Sequence, residues 1–198
     1  MKKLFISLAV ISFYAFKLAD VAYTADTKAS NIHWLGKKTN GQHEGDVKLL
    51  RGKINFNNSA PVDGEFVLDM NSISVTDIKD PENNKSLVNH LKEADFFDVA
   101  ANPTATITLK KFEKSKDQKA DAPNYNVTAD LIIKGIKNEI QFPAKINVSA
   151  DKTTANADLT IDRTKWNIVY KSKSILGSAA DKFIYDDITF SVNLVLQK

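Results

Sequence analysis

Three histidines, His33, His43 and His90, are the side chains best suited to proton transfer or metal binding near neutral pH, and their placement argues against both roles. None has a second histidine at H-x-x-x-H spacing, although a metal site assembled from distant strands stays open. His43 and Glu44 set a base beside an acid, but successive strand side chains point to opposite faces. A nucleophilic serine would need a G-x-S-x-G elbow or an equivalent base, and Ser172-Lys173-Ser174 reads only as loop. The 7 glycines fall singly, so no phosphate cradle forms. Asp186 and Asp187 are adjacent rather than facing, and Asp162-Arg163 reads as a structural ion pair or a surface feature. With 0 cysteines there are no disulfides, thiol catalysis, iron–sulfur clusters or lipid-modified cysteine. The expectation is a protein with no catalytic residues, no metal and no cofactor.

The elements around these residues are nearly all strands. Ile188, Phe190, Val192, Leu194 and Leu196 alternate with mostly polar neighbours, as do Val127, Ala129, Leu131 and Ile133, and Ile140, Phe142, Ala144, Ile146 and Val148. Strands are expected at 24–38, 43–57, 65–76, 104–114, 125–134, 138–149, 155–162 and 188–196, with a ninth possible at 166–171. Thr39-Asn40-Gly41 and Lys134-Gly135-Ile136-Lys137-Asn138 read as hairpin turns. One amphipathic helix is expected over Lys85–Phe97 after a loop opened by Pro81, lying across a barrel end with Phe96 and Phe97 as an aromatic plug. The stretch 171–183, containing Gly177, reads as a mobile rim loop, and 115–123 as a solvated connection. One helix cannot cover so many apolar strand faces, so the sheet must curl and close on itself.

Met1, Lys2 and Lys3 precede thirteen uncharged residues, Leu4 to Phe16, a pattern that reads as an export signal. As a helix this stretch would rise only about 20 Å, short of a hydrocarbon layer of ~30 Å, so no stable membrane span is expected after its removal. The division is thus a signal peptide at 1–22, cut between Ala22 and Thr24, and a single domain at 23–198, periplasmic or secreted. A cut after Ala22 leaves 24 basic and 23 acidic side chains, which with no basic–aromatic run argues against nucleic acid.

The interior carries the positive signal. Small inward residues (Ala129, Ala144, Ala155, Ala157) stand among large ones (Phe66, Leu68, Met70, Leu131, Phe142, Phe190, Val192), and composition leaves a packed and a hollow barrel equally open. If hollow, the guest must be long: each buried methylene contributes about 0.8 kcal/mol, against an association cost of roughly 4 to 15 kcal/mol.

Three segments bear a resemblance: Trp34-Leu35-Gly36-Lys37 with Gly41-Gln42-His43-Glu44-Gly45; His90-Leu91-Lys92-Glu93-Ala94-Asp95-Phe96-Phe97-Asp98 leading to Asn102-Pro103-Thr104-Ala105-Thr106; and Ile161-Asp162-Arg163-Thr164-Lys165-Trp166. In this order and spacing they resemble the YceI-like family of lipid or polyisoprenoid binding proteins. The resemblance implies an all-β fold, a closed antiparallel eight-stranded lipocalin-like β-barrel with one short amphipathic helix inserted. It implies non-enzymatic binding, transport or storage of a long-chain isoprenoid, isoprenoid quinone, fatty acid or amide in a central tunnel, often as a homodimer. Leu91, Phe96 and Phe97 would then border the mouth, with Trp166 and Tyr170 near the pocket or its rim. The rival readings are an enzyme of lipid metabolism using His43 or His90, and a stress-response interaction protein with a filled barrel.

Overall fold

The computed structural model describes residues 20–116, 119, 121–149, 152–176 and 182–198. Residues 1–19 of the expected signal and 177–181 of the expected rim loop lie outside these. Ten antiparallel strands form: β1 (Val21–Ala25), β2 (Asn31–Lys38), β3 (Gly41–Asp46), β4 (Lys48–Asn57), β5 (Ala60–Asp69), β6 (Thr104–Lys114), β7 (Tyr125–Ile133), β8 (Ile136–Val148), β9 (Thr153–Asp162) and β10 (Ile184–Gln197). Their order is β1-β4-β5-β6-β7-β8-β9-β10-β2-β3, and a further pairing of β1 with β10 closes the circle.

Ten strands reduce to eight barrel staves. β10 pairs with β2 along its first part and with β1 at Leu196 and Gln197, so β1 and β2 are two lengths of one stave. They are separated where the Asp26 carboxylate accepts from the backbone N–H groups of Lys28 (2.9 Å) and Ala29 (3.1 Å), a side-chain turn that interrupts the expected 24–38 strand. β3 and β4 form the next stave. Val47 between them keeps the ladder by donating to the Ile32 carbonyl at 3.0 Å. The closed eight-stranded barrel anticipated from the alternation is therefore the architecture.

The first hairpin turns at Thr39-Asn40 as expected; the second is tighter than the expected 134–138, since Lys134 and Gly135, with φ values of 50° and 70°, make a two-residue mirror-image turn and Ile136 already pairs with Ile133. The helix α1 spans Pro81–Lys92 rather than Lys85–Phe97. Pro81 begins it instead of opening a loop, because its missing N–H is one that no helix satisfies, and Asp80 caps the end by accepting from the Asn83 N–H at 2.9 Å. Residues 93–101 form turns that bring Phe96 and Phe97 inward, both buried. No ninth strand exists at 166–171: Arg163–Trp166 is a 3₁₀ turn capped by Asp162, followed by Asn167 in the left-handed region, and only Ser172 makes an isolated bridge, to Ile184. A single helical turn, α2 (Lys173–Leu176), follows.

The expected strand 65–76 ends at Asp69; beyond a 3₁₀ turn the chain runs against β3, with Ser74 N–H donating to Asp46 O and Thr76 N–H to Glu44 O, each at 2.9 Å. Gly45 permits that approach, since a Cβ there would lie 1.8 Å from the Ser74 carbonyl oxygen.

The wall is uneven between β8 and β9. Their ladder covers only Ala144–Val148 against Thr153–Ala157. It stops at Pro143, which has no N–H to give. Toward the α1 end the two strands are unpaired with each other, and the Asn138 amide of β8 donates instead to the Lys165 carbonyl, in the 3₁₀ turn that follows β9, at 2.9 Å.

Candidate functional site

Inward side chains of the staves enclose a cavity of about 230 Å³, against the roughly 10–15 Å³ that one water needs. Its wall is almost wholly aliphatic and aromatic. Trp34, Leu49, Phe66, Leu131, Ile146 and Leu194 are among its buried lining residues. Toward the opposite end from α1, the buried Ala25, Phe56 and Leu196 are not part of the lining and fill the barrel with side chains, Tyr23 stacking edge-on to Phe56 at 5.0 Å. Beside the unpaired stretch of β8 and β9, the lining residues Phe142, Ala157 and Leu159 are only half-buried.

Of the residues expected to line it, Phe66, Leu68, Met70, Leu91, Phe96, Phe97, Leu131, Phe142, Phe190 and Val192 do so. Three do not. Ala129 faces inward but is fully buried beneath longer neighbours. Trp166 is buried behind the wall, its indole N–H donating to the Leu131 carbonyl at 3.1 Å. Tyr170 stands outside, edge-on to His90 at 4.6 Å between ring centres. Trp34, Gly36, Ile188 and Leu194 line the cavity without having been singled out, although the same alternation marks them. Gly36 leaves open space, for a Cβ built there meets nothing within 4 Å.

Lining residues that also reach solvent define the mouth: Lys37 and Lys38 at the end of β2, and Tyr185 at the start of β10. His43 lines the same end, its Nδ1 2.8 Å from Asp77 and its Nε2 2.8 Å from Lys38 Nζ. Burial tends to raise the Asp77 carboxyl, but the Glu44 N–H and the His43 ring more than offset this and hold it below the usual range.

Arg163 fixes the shape of this end. Fully buried, it donates from Nη1 to Ile168 O (2.8 Å), from Nη2 to Tyr170 O (3.0 Å) and from Nε to Tyr185 O (3.3 Å). It thereby ties the 167–172 turn to the start of β10. Its carboxylate is Asp186, at 3.5 Å, not Asp162, which instead accepts from the Thr164 N–H and hydroxyl. Burial lowers the guanidinium from its ordinary value against the pull of Asp186 and Asp162. For Asp186 burial works upward, yet hydrogen bonds from Ser172 and Ser174 and the charge of Arg163 keep it low.

His90 also lines the cavity. Its Nδ1 lies 3.1 Å from Glu93 Oε2 and 3.9 Å from Asp95 Oδ1, while Nε2 is buried with no hydrogen-bond partner among the described residues. One ligand atom from each of the three thus falls within 4.8 Å of the others, a cluster the histidine spacing alone did not reveal. His33 sits apart, 3.0 Å from Asp46, so the three imidazoles do not converge.

A closed antiparallel barrel around an apolar cavity is the class of protein that fold and site define. The model of the YceI-like domain matches residues 23–196, and the chain belongs to that family. It is 28% identical over 160 residues to Protein YceI of an Escherichia coli strain, covering 78% of this chain and 74% of that one. Among solved structures it is similar to BcnA of Burkholderia cenocepacia (TM-score 0.67, 21% identity, 86% of this chain and 98% of that one). It is also similar to a polyisoprenoid binding domain from Saccharophagus degradans implicated in plant cell wall breakdown (TM-score 0.59, 18% identity, 88% and 97% covered). A Campylobacter jejuni YCEI protein matches with a TM-score of 0.55 at 20% identity, covering 100% of this chain and 99% of that one. No helix among the described residues is long and apolar enough to cross a membrane.

Proposed function

We propose that the protein binds a long-chain amphiphile without transforming it, an isoprenoid, isoprenoid quinone, fatty acid or fatty amide, and carries or stores it outside the cytoplasm after loss of its N-terminal signal, a cut after Ala22 shortening β1 to Tyr23, Thr24 and Ala25. The observation that carries this reading is the apolar cavity of about 230 Å³ inside the barrel, with exposed Lys37, Lys38 and Tyr185 among its lining. The tail lies among Phe66, Leu131, Phe142 and Phe190; the head sits near Lys37, Lys38 and His43, where cations and hydrogen-bonding groups meet solvent. The unpartnered His90 Nε2 offers a further polar contact beside an otherwise oily wall. Twelve buried methylenes contribute about 10 kcal/mol, enough to offset the middle of the association cost. The similarity in fold to a polyisoprenoid binding domain supports the choice of guest.

The test is native mass spectrometry and organic extraction of the purified protein, followed by titration with long-chain fatty acid and prenol. Co-purified lipid or saturable 1:1 uptake is the expected result; neither, with the fold intact, removes the proposal. A lipid returned chemically altered would favour an enzyme instead.

A further inference from the structure

The surface around Lys37, Lys38 and Tyr185 extends beyond the residues that line the cavity. Residues Phe183 and Ile184 lie between two other segments: Thr39 N–H donates to Phe183 O at 3.0 Å on one side, and Ile184 N–H donates to Lys171 O at 2.8 Å on the other. Lys38 is the ladder partner of Ile184, and Ser172 bridges to it. These contacts gather Lys37, Lys38, Lys171, Lys173 and Lys182, all exposed, onto one lip.

Apolar groups are interleaved with the cations. Ile175 is 62% exposed and Tyr185 38%. Phe183 and Tyr185 stack edge-on at 5.1 Å, with Lys173 Nζ 5.5 Å from the first ring centre and 4.9 Å from the second. Lys171 Nζ stands 5.3 Å from the Tyr170 ring. Of the carboxylates at this end, Asp186 and Asp77 are engaged by Arg163 and His43, and Glu93 lies 3.1 Å from His90, while Asp187 is exposed.

From this arrangement we infer that the Lys37–Lys38, Lys171–Lys173 and Lys182–Tyr185 lip docks the barrel mouth on an anionic lipid bilayer. Exposed aliphatic and aromatic side chains enter the headgroup boundary, and the lysines pair with lipid phosphates. Tyr185 belongs both to the lip and to the cavity lining, so docking sets the open end of the bore against the membrane. An apolar guest then passes between bilayer and cavity without crossing water. The inference goes beyond ligand binding, and adsorption is read with no guest present, so the two stand or fall separately.

The experiment is flotation of the purified protein, its N-terminus fixed by intact mass, with vesicles of phosphatidylglycerol and phosphatidylcholine or of phosphatidylcholine alone. Adsorption to the anionic vesicles at low salt, with release at high salt, is expected. Each lysine near such a surface strengthens adsorption roughly fivefold, so K171E/K173E lowers the bound-to-free ratio by at least about tenfold. Ile175→Ser lowers it further. Both variants take up monomeric fatty acid from solution as the wild type does, which shows that the barrel is intact. Equal adsorption to neutral vesicles, adsorption indifferent to salt and to K171E/K173E, or none at all overturns the inference. The last outcome would leave the lip to an acidic protein partner.

Discussion

Gly36 of β2 stands opposite Ile188 of β10, and on the cavity side of this pair there is space for a side chain that the protein does not supply. Gly36→Leu therefore adds a side chain into the bore without forcing a neighbour to move. Uptake of a long-chain fatty acid falls by about tenfold or more, while the urea midpoint stays level or rises, because the added methylenes bury apolar surface of their own. Displacement of a fluorescent fatty acid, read beside urea unfolding, measures both.

Phe190→Asp and Phe142→Lys each put a charge on the inner face. An unpaired charge in an apolar cavity destabilises by several kcal/mol and repels a hydrocarbon chain. Loss of uptake in both variants is expected where circular dichroism reports a retained barrel; undiminished uptake would contradict the assignment of the inner face.

Arg163→Met removes the cation that holds the Ile168, Tyr170 and Tyr185 carbonyls. Leaving such buried acceptors without a donor costs about 1–3 kcal/mol each before relaxation, so a loss of about 3 kcal/mol in urea unfolding is expected. Lysine cannot reproduce the fork, and Arg163→Lys recovers only part of that loss.

Acid weakens the fold through Asp186 and Asp77. Both carboxyls are held below their ordinary value when folded, so their contribution is complete above the unfolded value of about 4 and disappears as pH falls through the lowered folded values. Urea midpoints constant from pH 7 to 5 and declining below about pH 4 are expected. Asp186→Asn lowers the midpoint at neutral pH and makes the acid decline shallower.

Amide hydrogen exchange reads the uneven wall. The amides of β8 before Pro143 and of β9 beyond Ala157 that face one another have no ladder partner across the gap. They exchange at least about tenfold faster than the paired amides of β6 and β7. Equal protection would mean that the two strands close on each other in solution.

The barrel was legible in the sequence because one face of each stave must leave water, and period-two alternation in β7, β8 and β10 records that requirement directly. The segments around Asp26 and Ser74 were misread as uninterrupted strand, since a side-chain turn and a 3₁₀ turn leave the apolar spacing on either side almost unchanged. Pro81 looked like a breaker, although at the first helical position it favours the helix. The mouth was the least visible part. Lys37, Lys38 and Tyr185 are ordinary surface types, and only the pairing of β2 with β10 brings them together. Arg163 was noticed only beside Asp162, because its actual partners, backbone carbonyls and the distant Asp186, leave no local signal in the sequence.

Buried Ala25, Phe56 and Leu196 stand outside the cavity lining, which makes the two ends of the barrel unlike. If the proposed guest enters from the Lys37–Lys38 end, these side chains form the floor beneath its tail, and every guest would travel in the same orientation. The depth above that floor would then act as a gauge of chain length: a tail too long would leave carbons dangling in water, and one too short would leave the floor empty.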